Sequence, residues 1–272
     1  MTTSTTTSTG PTPSGEMIDV PGARLVVEEH GAGDPIVVVH GDDGTVHLSP
    51  FVDRLAERHL VRLVHLPGWG VSELPRHVRS VADLAHVLLG LLDREERPVP
   101  LVGLSFGGWV AAEAAAWCDR ALSTLVLVSP LGLRSGPPDQ RSFVDVFASS
   151  REEVRAATYA DPGRAPDLTE LDDDGFFRLA HAQEAVARFG WAPYLNDPQL
   201  GPRLGRVTVP SLVVTGVADR FVLQPDYPAD WLERLGGPSR HVTLDGVGHR
   251  PEEEAPDRLV AAIVDHVASL TG

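Results

Sequence analysis

A serine between two glycines stands where a strand-like segment meets a helix-like segment, and this arrangement constrains the fold more than any other feature of the chain. The apolar run 99–102 is short enough for a buried strand, and Gly-Leu-Ser-Phe-Gly follows at 103–107. The alanine-rich run 109–117 has strong helix propensity. A serine in such a turn needs glycine neighbours, because larger side chains would clash there. The pattern predicts that the turn lifts the Ser105 hydroxyl off the sheet at the end of a strand, where it can react with a substrate.

Two later segments supply the partners that a serine nucleophile requires. A serine hydroxyl becomes reactive when a histidine removes its proton, and a carboxylate must hold the tautomer of that histidine. Asp219 follows the strand-like run 209–215, and His249 follows the strand-like run 241–244. The chain order serine, aspartate, histidine is the order expected with a nucleophile elbow. We therefore predict that Ser105, Asp219 and His249 are the catalytic residues.

Two alternatives accompany this prediction. Asp139 follows the preceding strand-like run 125–128 and is the rival candidate for the acid. The position of Asp219 directly after its strand favours Asp219. Ser105 could also be a structural serine in a glycine turn, but the other two residues argue against that interpretation.

Several segments around these residues resemble the α/β-hydrolase superfamily. His-Gly-Asp-Asp-Gly at 40–44 is similar to the family's oxyanion loop, H-G-x-x-G. The segment 65–72 is similar to its D-x-x-G-x-G-x-S loop, with His65 where an aspartate is usual. The segment 248–256 matches the pattern G-H-x-x-x-x-E-x-P around the family's histidine. The resemblance covers the chain from about residue 18 to its end.

The resemblance implies a mostly parallel central sheet flanked by helices, with a helical cap inserted into it. It implies that Ser105 is the nucleophile, His249 the general base and acid, and Asp219 the orienting acid. It also implies that the backbone N–H groups of Asp42 and Phe106 form the oxyanion hole.

The chain departs from the family pattern at two places. Asp42 and Asp43 stand where the family usually has apolar or small residues. Their carboxylates would oppose an oxyanion unless they point away or are neutralised, and we expect them to turn away. Alternatively, they could bind a hydroxyl or amine of the substrate. Arg250 follows His249, where hydrolases of ring-cleavage products usually carry an aromatic residue, and this disfavours carbon–carbon bond hydrolysis.

Composition divides the chain into a tail, a core and a cap. Residues 1–16 are rich in Thr, Ser, Pro and Gly, which predicts a disordered tail without the features of a secretory signal. Residues 17–130 and 207–272 are the predicted α/β-hydrolase core. Residues 131–206 lack a good strand pattern and carry many aromatic residues, and the resemblance implies that this insertion is the helical cap.

Alternating strand-like and helix-like runs predict βαβ units in the core. Early strands are expected near 24–28, 36–39 and 61–66, and a capping box at 80–83 opens a helix. The last helix is expected from about Pro256. Its apolar face would contain Leu259, Ile263, Val267 and Leu270.

Charge and composition limit the partners. A net charge of −15 argues against nucleic acid and anionic membranes, which both require a basic surface. Cys118 is the one cysteine, which excludes an internal disulfide and fits a cytoplasmic protein. The acidic run 172–174 has no histidine pair beside it, so neither a metal nor a cofactor is expected. We expect a monomer or homodimer that acts on a small molecule.

These observations together predict a serine hydrolase that cleaves an ester, lactone or thioester in a small, fairly apolar molecule through an acyl-enzyme. The predicted substrate-binding residues are Asp43, Trp191 and Val222. A carbon–carbon bond hydrolase of diketone-type substrates, or a cyclase or lyase with the same triad, is the alternative within enzymes. A small-molecule receptor with little turnover is the alternative of another class.

Overall fold

In the part of the chain that the structure describes, eight strands form one central sheet. This computed structural model describes residues 15–137 and 139–270. The strands are β1 (Glu16–Val20), β2 (Ala23–His30), β3 (Pro35–Val39), β4 (Leu60–His65), β5 (Val99–Leu104), β6 (Leu122–Val128), β7 (Ser211–Gly216) and β8 (Ser239–Leu244). Their order across the sheet is β1-β2-β4-β3-β5-β6-β7-β8. β1 and β2 pair antiparallel with their neighbours, and β3 to β8 run parallel. The predicted mostly parallel sheet is confirmed.

Helices follow the strands and cover the sheet. They are α1 (Ser49–Ala56), α2 (Val81–Leu92), α3 (Ser105–Trp117), α4 (Arg151–Thr158), α5 (Asp173–Gly190), α6 (Leu200–Arg203), α7 (Tyr227–Arg234), α8 (Pro251–Glu254) and α9 (Pro256–Ala268). The capping box predicted for α2 is present, because the side chains of Ser80 and Asp83 each bond the other's backbone N–H. Among residues 15–137 and 139–270, no helix has both the length and the apolar character of a membrane span.

Alternate residues of each parallel strand enter two apolar layers on opposite faces of the sheet. In β3, Val37 and Val39 join one buried cluster, whereas Ile36 and Val38 join the other. This is the burial expected for parallel strands with helices on both sides, and it explains their continuous apolar sequences. β2, β3 and β4 lie close to the three early strands expected from the sequence.

Three details at the chain ends differ from expectation or extend it. β1 was not predicted; it begins at Glu16, inside the predicted tail, and pairs with β2. The rest of that tail, residues 1–14, lies outside the described residues. α9 begins at Pro256 as expected and buries Leu259 and Ile263, but Leu270 lies beyond the helix and is exposed.

The chain between β6 and β7 (residues 129–210, here called the inserted segment) contains α4, α5 and α6. In its described residues, 129–137 and 139–210, there is no strand. It largely overlaps the range proposed for the cap. The carboxyl ends of β5, β7 and β8 lie at one edge of the sheet because these strands are parallel. The loops that follow them can therefore meet there.

Candidate active site

Ser105 occupies a strained turn between β5 and α3. Its backbone φ is +44°, in the left-handed region that L-residues rarely adopt, and 1% of the residue is exposed. A Cβ on Gly107 would lie 2.2 Å from the His40 carbonyl oxygen, and one on Gly103 would lie 2.6 Å from the Gly107 carbonyl oxygen. The two glycines are thus needed because backbone from neighbouring elements passes too close for a side chain.

The structure brings Ser105, His249 and Asp219 into one hydrogen-bonded series. Ser105 Oγ is 3.0 Å from His249 Nε2, and His249 Nδ1 is 2.8 Å from Asp219 Oδ2. Asp219 follows β7, His249 follows β8, and both side chains are buried. The rival acid, Asp139, is exposed. With Nδ1–H donated to the carboxylate, Nε2 is free to accept the serine proton, as general-base chemistry requires.

Backbone contacts hold the acid and the histidine in place. Asp219 Oδ1 accepts hydrogen bonds from the N–H groups of Phe221 at 2.9 Å and Val222 at 3.2 Å. The N–H of His249 donates to the Thr158 carbonyl at the end of α4 at 2.6 Å. The Phe221 ring lies 4.6 Å from the imidazole, centre to centre. The inserted segment therefore helps to position the histidine.

The contacts of Glu254 show why the G-H-x-x-x-x-E-x-P pattern has an acidic residue at this position. Its Oε2 accepts from the N–H of Gly248 at 2.6 Å, and its Oε1 accepts from the N–H of Ala160 at 2.9 Å. The carboxylate thus joins the loop before His249 to the chain after α4. Its role in the structure is to hold the turn that carries the histidine.

The loop after β3 is held in shape by His40. His40 Nδ1 donates to the Gly41 carbonyl at 2.7 Å, and Nε2 accepts from the N–H of Leu66 at 3.1 Å. Burial lowers the pKa of His40 to about 3, so the ring is neutral and keeps this tautomer. His40 therefore braces the loop through both ring nitrogens.

The two predicted oxyanion donors belong to different segments, α3 and the loop after β3. The N–H of Phe106 belongs to the first turn of α3, where helix N–H groups have no carbonyl partner within the helix. Asp42 lies in the loop after β3, and its carbonyl accepts from Trp69 Nε1 at 3.0 Å. The backbone of Asp42 is thus anchored next to the turn that carries Ser105.

The expectation that the carboxylates of Asp42 and Asp43 turn away from the site is not met. Both side chains line the cavity that contains His249, and both accept hydrogen bonds from Arg250 Nη2, at 2.8 and 2.7 Å. Burial would raise the pKa of Asp42, but it is outweighed by opposing effects, the largest of them the positive charge of Arg250, and that pKa is lowered. Burial raises the pKa of Asp43 to about 6, against the opposing effect of Arg250. The two departures from the family pattern therefore form a single ion cluster.

A cavity of about 590 Å³ lies between the inserted segment and the edge of the sheet where Asp42 and His249 are found. One end contains polar groups of Asp42, Asp43, His249 and Arg250. Side chains of the inserted segment form much of the rest, including Phe147, Tyr159, Leu179 and Val186. The same segment also contributes charged and polar side chains to the lining, including Arg151, Glu152, Arg155 and Gln183, and His249 is the member of the predicted triad that lines the cavity.

Of the three predicted substrate-binding residues, the cavity includes Asp43. Trp191 is 62% exposed and packs against Phe147 at 5.1 Å between ring centres, outside the cavity lining. Val222 is also outside the lining; its backbone bonds Asp219, and it forms a β-bridge with Phe143. Sequence reasoning missed Arg250 as a site residue. The acidic charge at Asp42 and Asp43 and the basic charge at Arg250 were the signal from which their contact could have been predicted.

Known proteins similar to this chain were found by sequence and by structure. A family model described as "Alpha/beta hydrolase family" matches residues 36–262. The pimeloyl-[acyl-carrier protein] methyl ester esterase of Xylella fastidiosa is 23% identical over 266 residues, with 90% of this chain and 100% of that protein covered. A 2-hydroxy-6-oxononadienedioate/2-hydroxy-6-oxononatrienedioate hydrolase of Klebsiella pneumoniae is 26% identical, with 92% and 94% covered. The solved esterase of Exiguobacterium antarcticum superposes with a TM-score of 0.73 at 21% identity, with 93% and 99% covered.

Proposed function

The chain belongs to the α/β hydrolase family, and from this premise we propose that it is a serine hydrolase that cleaves an ester, lactone or thioester in a small, fairly apolar molecule. The observation that carries the proposal is the hydrogen-bonded series from Ser105 Oγ through His249 to Asp219, with distances of 3.0 and 2.8 Å. A buried serine in a strained turn, paired with a histidine that a carboxylate orients, is the arrangement that activates a hydroxyl.

The proposed reaction has two halves. Ser105 Oγ attacks the carbonyl carbon while His249 Nε2 takes the hydroxyl proton, and the N–H groups of Asp42 and Phe106 bind the resulting oxyanion. The intermediate collapses as the leaving alcohol or thiol takes the proton from His249, which leaves an acyl group on Ser105. Water then attacks, gives its proton to His249, and the acid leaves as Ser105 regains its proton. Asp219 stays ionised and holds the imidazole.

The apolar part of the cavity wall supports a small substrate with an apolar body. The side walls of the cavity carry Phe147, Leu179 and Val186, and the carbonyl would lie at the end beside His249. A relative that acts on a methyl ester agrees with ester cleavage. A net charge of −15 disfavours anionic substrates.

Carbon–carbon bond hydrolysis is the second candidate, because one of the relatives is named as a hydrolase of an oxo-dienedioate. The same three residues would serve it. Arg250 beside His249 is the observation that weighs against it, since a charged group replaces the aromatic residue that the resemblance leads us to expect there.

A fluorophosphonate probe tests the proposal without knowledge of the natural substrate. We expect covalent labelling of the wild-type protein at Ser105 and none of Ser105→Ala. A panel of aryl esters, lactones, thioesters and diketones then separates the bond classes. A folded wild-type protein that the probe does not label would overturn the proposal and favour a receptor with little turnover. Labelling with turnover of diketones alone would favour the second candidate.

A further inference from the structure

Arg250 is a buried cation that joins the two loops on which the proposed chemistry depends. Its side chain is 6% exposed, and Nη2 donates to Asp42 Oδ2 at 2.8 Å and to Asp43 Oδ2 at 2.7 Å. Arg250 directly follows His249, and 207 positions of the chain separate it from Asp43. One side chain thus connects the loop of the proposed base to the loop of the proposed oxyanion donor.

The guanidinium also lies against the backbone of the oxyanion loop. A Cβ on Gly41 would be 3.1 Å from Arg250 Nη1 and 3.5 Å from Ser105 Cβ. The same small space beside Gly41 is therefore bordered by the guanidinium and by the serine. Arg250 and the carboxylates that it binds therefore lie close to the position where an oxyanion would form at Ser105, and its charge decides how much of their negative charge acts there.

The charges around Arg250 are unequal. Its Nη2 contacts Asp42 and Asp43, and its Nη1 lies 3.7 Å from Glu252 Oε1 and 3.9 Å from Glu253 Oε1. One cation therefore faces four carboxyl groups. Without it, the two aspartates would present uncompensated negative charge to the position where the oxyanion forms. That charge would raise the barrier to the attack.

We propose that Arg250 is a positioning residue that fixes the oxyanion loop and neutralises Asp42 and Asp43, so that the Asp42 N–H can stabilise the oxyanion. The inference rests on the proposed function, because it needs an oxyanion at this place. It assigns Asp42, Asp43 and Arg250 a joint role: the aspartates tie the loop to the turn of His249, and the arginine removes the electrostatic cost of having them there.

A double-mutant comparison tests this role. Arg250→Met keeps most of the side-chain length and removes the charge. In the wild-type background we expect it to lower kcat for an aryl ester about 100-fold, the size of a lost oxyanion contact, with KM changed less than about threefold. In the Asp42→Asn/Asp43→Asn background, the same substitution is expected to cost at least tenfold less, because no carboxylate then opposes the oxyanion.

The control is Arg62→Met. Arg62 also pairs with two carboxylates, those of Glu29 and Glu95, but lies outside the cavity. We expect it to leave kcat within about twofold of wild type, so that loss of a two-carboxylate ion cluster by itself does not reproduce the effect. If Arg250→Met does not fold, Arg250→Lys replaces it. In the wild-type background we expect Arg250→Lys to lower kcat less than Arg250→Met would. In the double-asparagine background we expect Arg250→Lys to lower kcat less than it does in the wild-type background.

The outcomes separate this inference from the proposed function. Suppose that the wild-type protein reacts with the fluorophosphonate and hydrolyses esters, and that Arg250→Met has the kcat of the wild type. This result would overturn the role of Arg250 and leave the proposed function standing. An equal loss in both backgrounds would also overturn it, since the effect of Arg250 would then not depend on the two carboxylates. Absence of labelling in the wild type would instead remove the proposed function on which the inference rests.

Discussion

Asp219→Asn tests the hydrogen-bonded series at its acid. Asp219 Oδ1 accepts from the N–H groups of Phe221 and Val222, at 2.9 and 3.2 Å, and Oδ2 faces His249 Nδ1 at 2.8 Å. In the asparagine variant the amide oxygen must face the two backbone donors, because an NH₂ group there would place donor against donor. The NH₂ group therefore faces Nδ1 and donates to it.

This exchange reverses the tautomer of the imidazole. Nδ1 becomes an acceptor, the ring proton moves to Nε2, and Nε2 can no longer take the proton of Ser105 across their 3.0 Å contact. We expect kcat to fall about 10⁴-fold, equivalent to a barrier about 5 kcal/mol higher. The fold should be retained, since the amide has the shape of the carboxylate and keeps both backbone bonds.

The assay is aryl ester hydrolysis at saturating substrate, with the rate of fluorophosphonate labelling as a measure that needs no turnover. Thermal unfolding checks that the variant is folded. Asp139→Asn is the matched control, because Asp139 is exposed, and its kcat should stay within about twofold of wild type. A folded Asp219→Asn variant that keeps more than a tenth of the wild-type kcat would refute the reasoning. So would a larger loss in the control.

Three further predictions concern the base, the elbow and a buried acid. His249→Ala should lower kcat at least about 10³-fold in the same ester assay while circular dichroism stays that of the wild type, because the base and nucleophile act as a unit; a loss below tenfold would contradict the assignment. Gly107→Ala should lower the free energy of unfolding by about 3 kcal/mol, because its Cβ would lie 2.2 Å from the backbone oxygen of His40; a change under about 0.5 kcal/mol in urea unfolding would contradict the packing. Burial raises the pKa of Glu252 from 4.5 to about 7, so its contribution to stability is present below pH 4.5 and is lost as the pH rises to about 7. Urea unfolding from pH 4.5 to 8 should therefore show a fall of up to about 3 kcal/mol that Glu252→Gln reduces, and an identical fall in both proteins would count against the buried acid.

Local sequence patterns predicted strands β2 to β8 and singled out the three candidate catalytic residues. A parallel strand buried on both faces must be a short apolar run, and a serine in a left-handed turn between strand and helix requires glycine nearby. These are requirements of neighbouring residues on one another, so they can be read from 99–107 without the rest of the fold. The capping box at Ser80 is local in the same way.

Local patterns did not predict the features that depend on contacts between residues far apart in the sequence. Glu16 begins a strand because β2 is available to pair with it. Leu270 continues the apolar spacing of the last helix but lies past its end at Ala268 and is exposed. Trp191 is apolar and aromatic, as a cavity residue should be, yet the path of the inserted segment leaves it on the surface.

The sequence alone determined which residue types follow which strands, and hence that Ser105, Asp219 and His249 could meet at one edge of a parallel sheet. It could not determine where the carboxylates of Asp42 and Asp43 point, because their direction depends on a cation about 207 positions away. Only the tertiary structure placed Arg250 against both of them. The physical reason is that backbone preferences act between neighbours, whereas the charge balance of a buried site depends on every group that folding brings within a few ångströms.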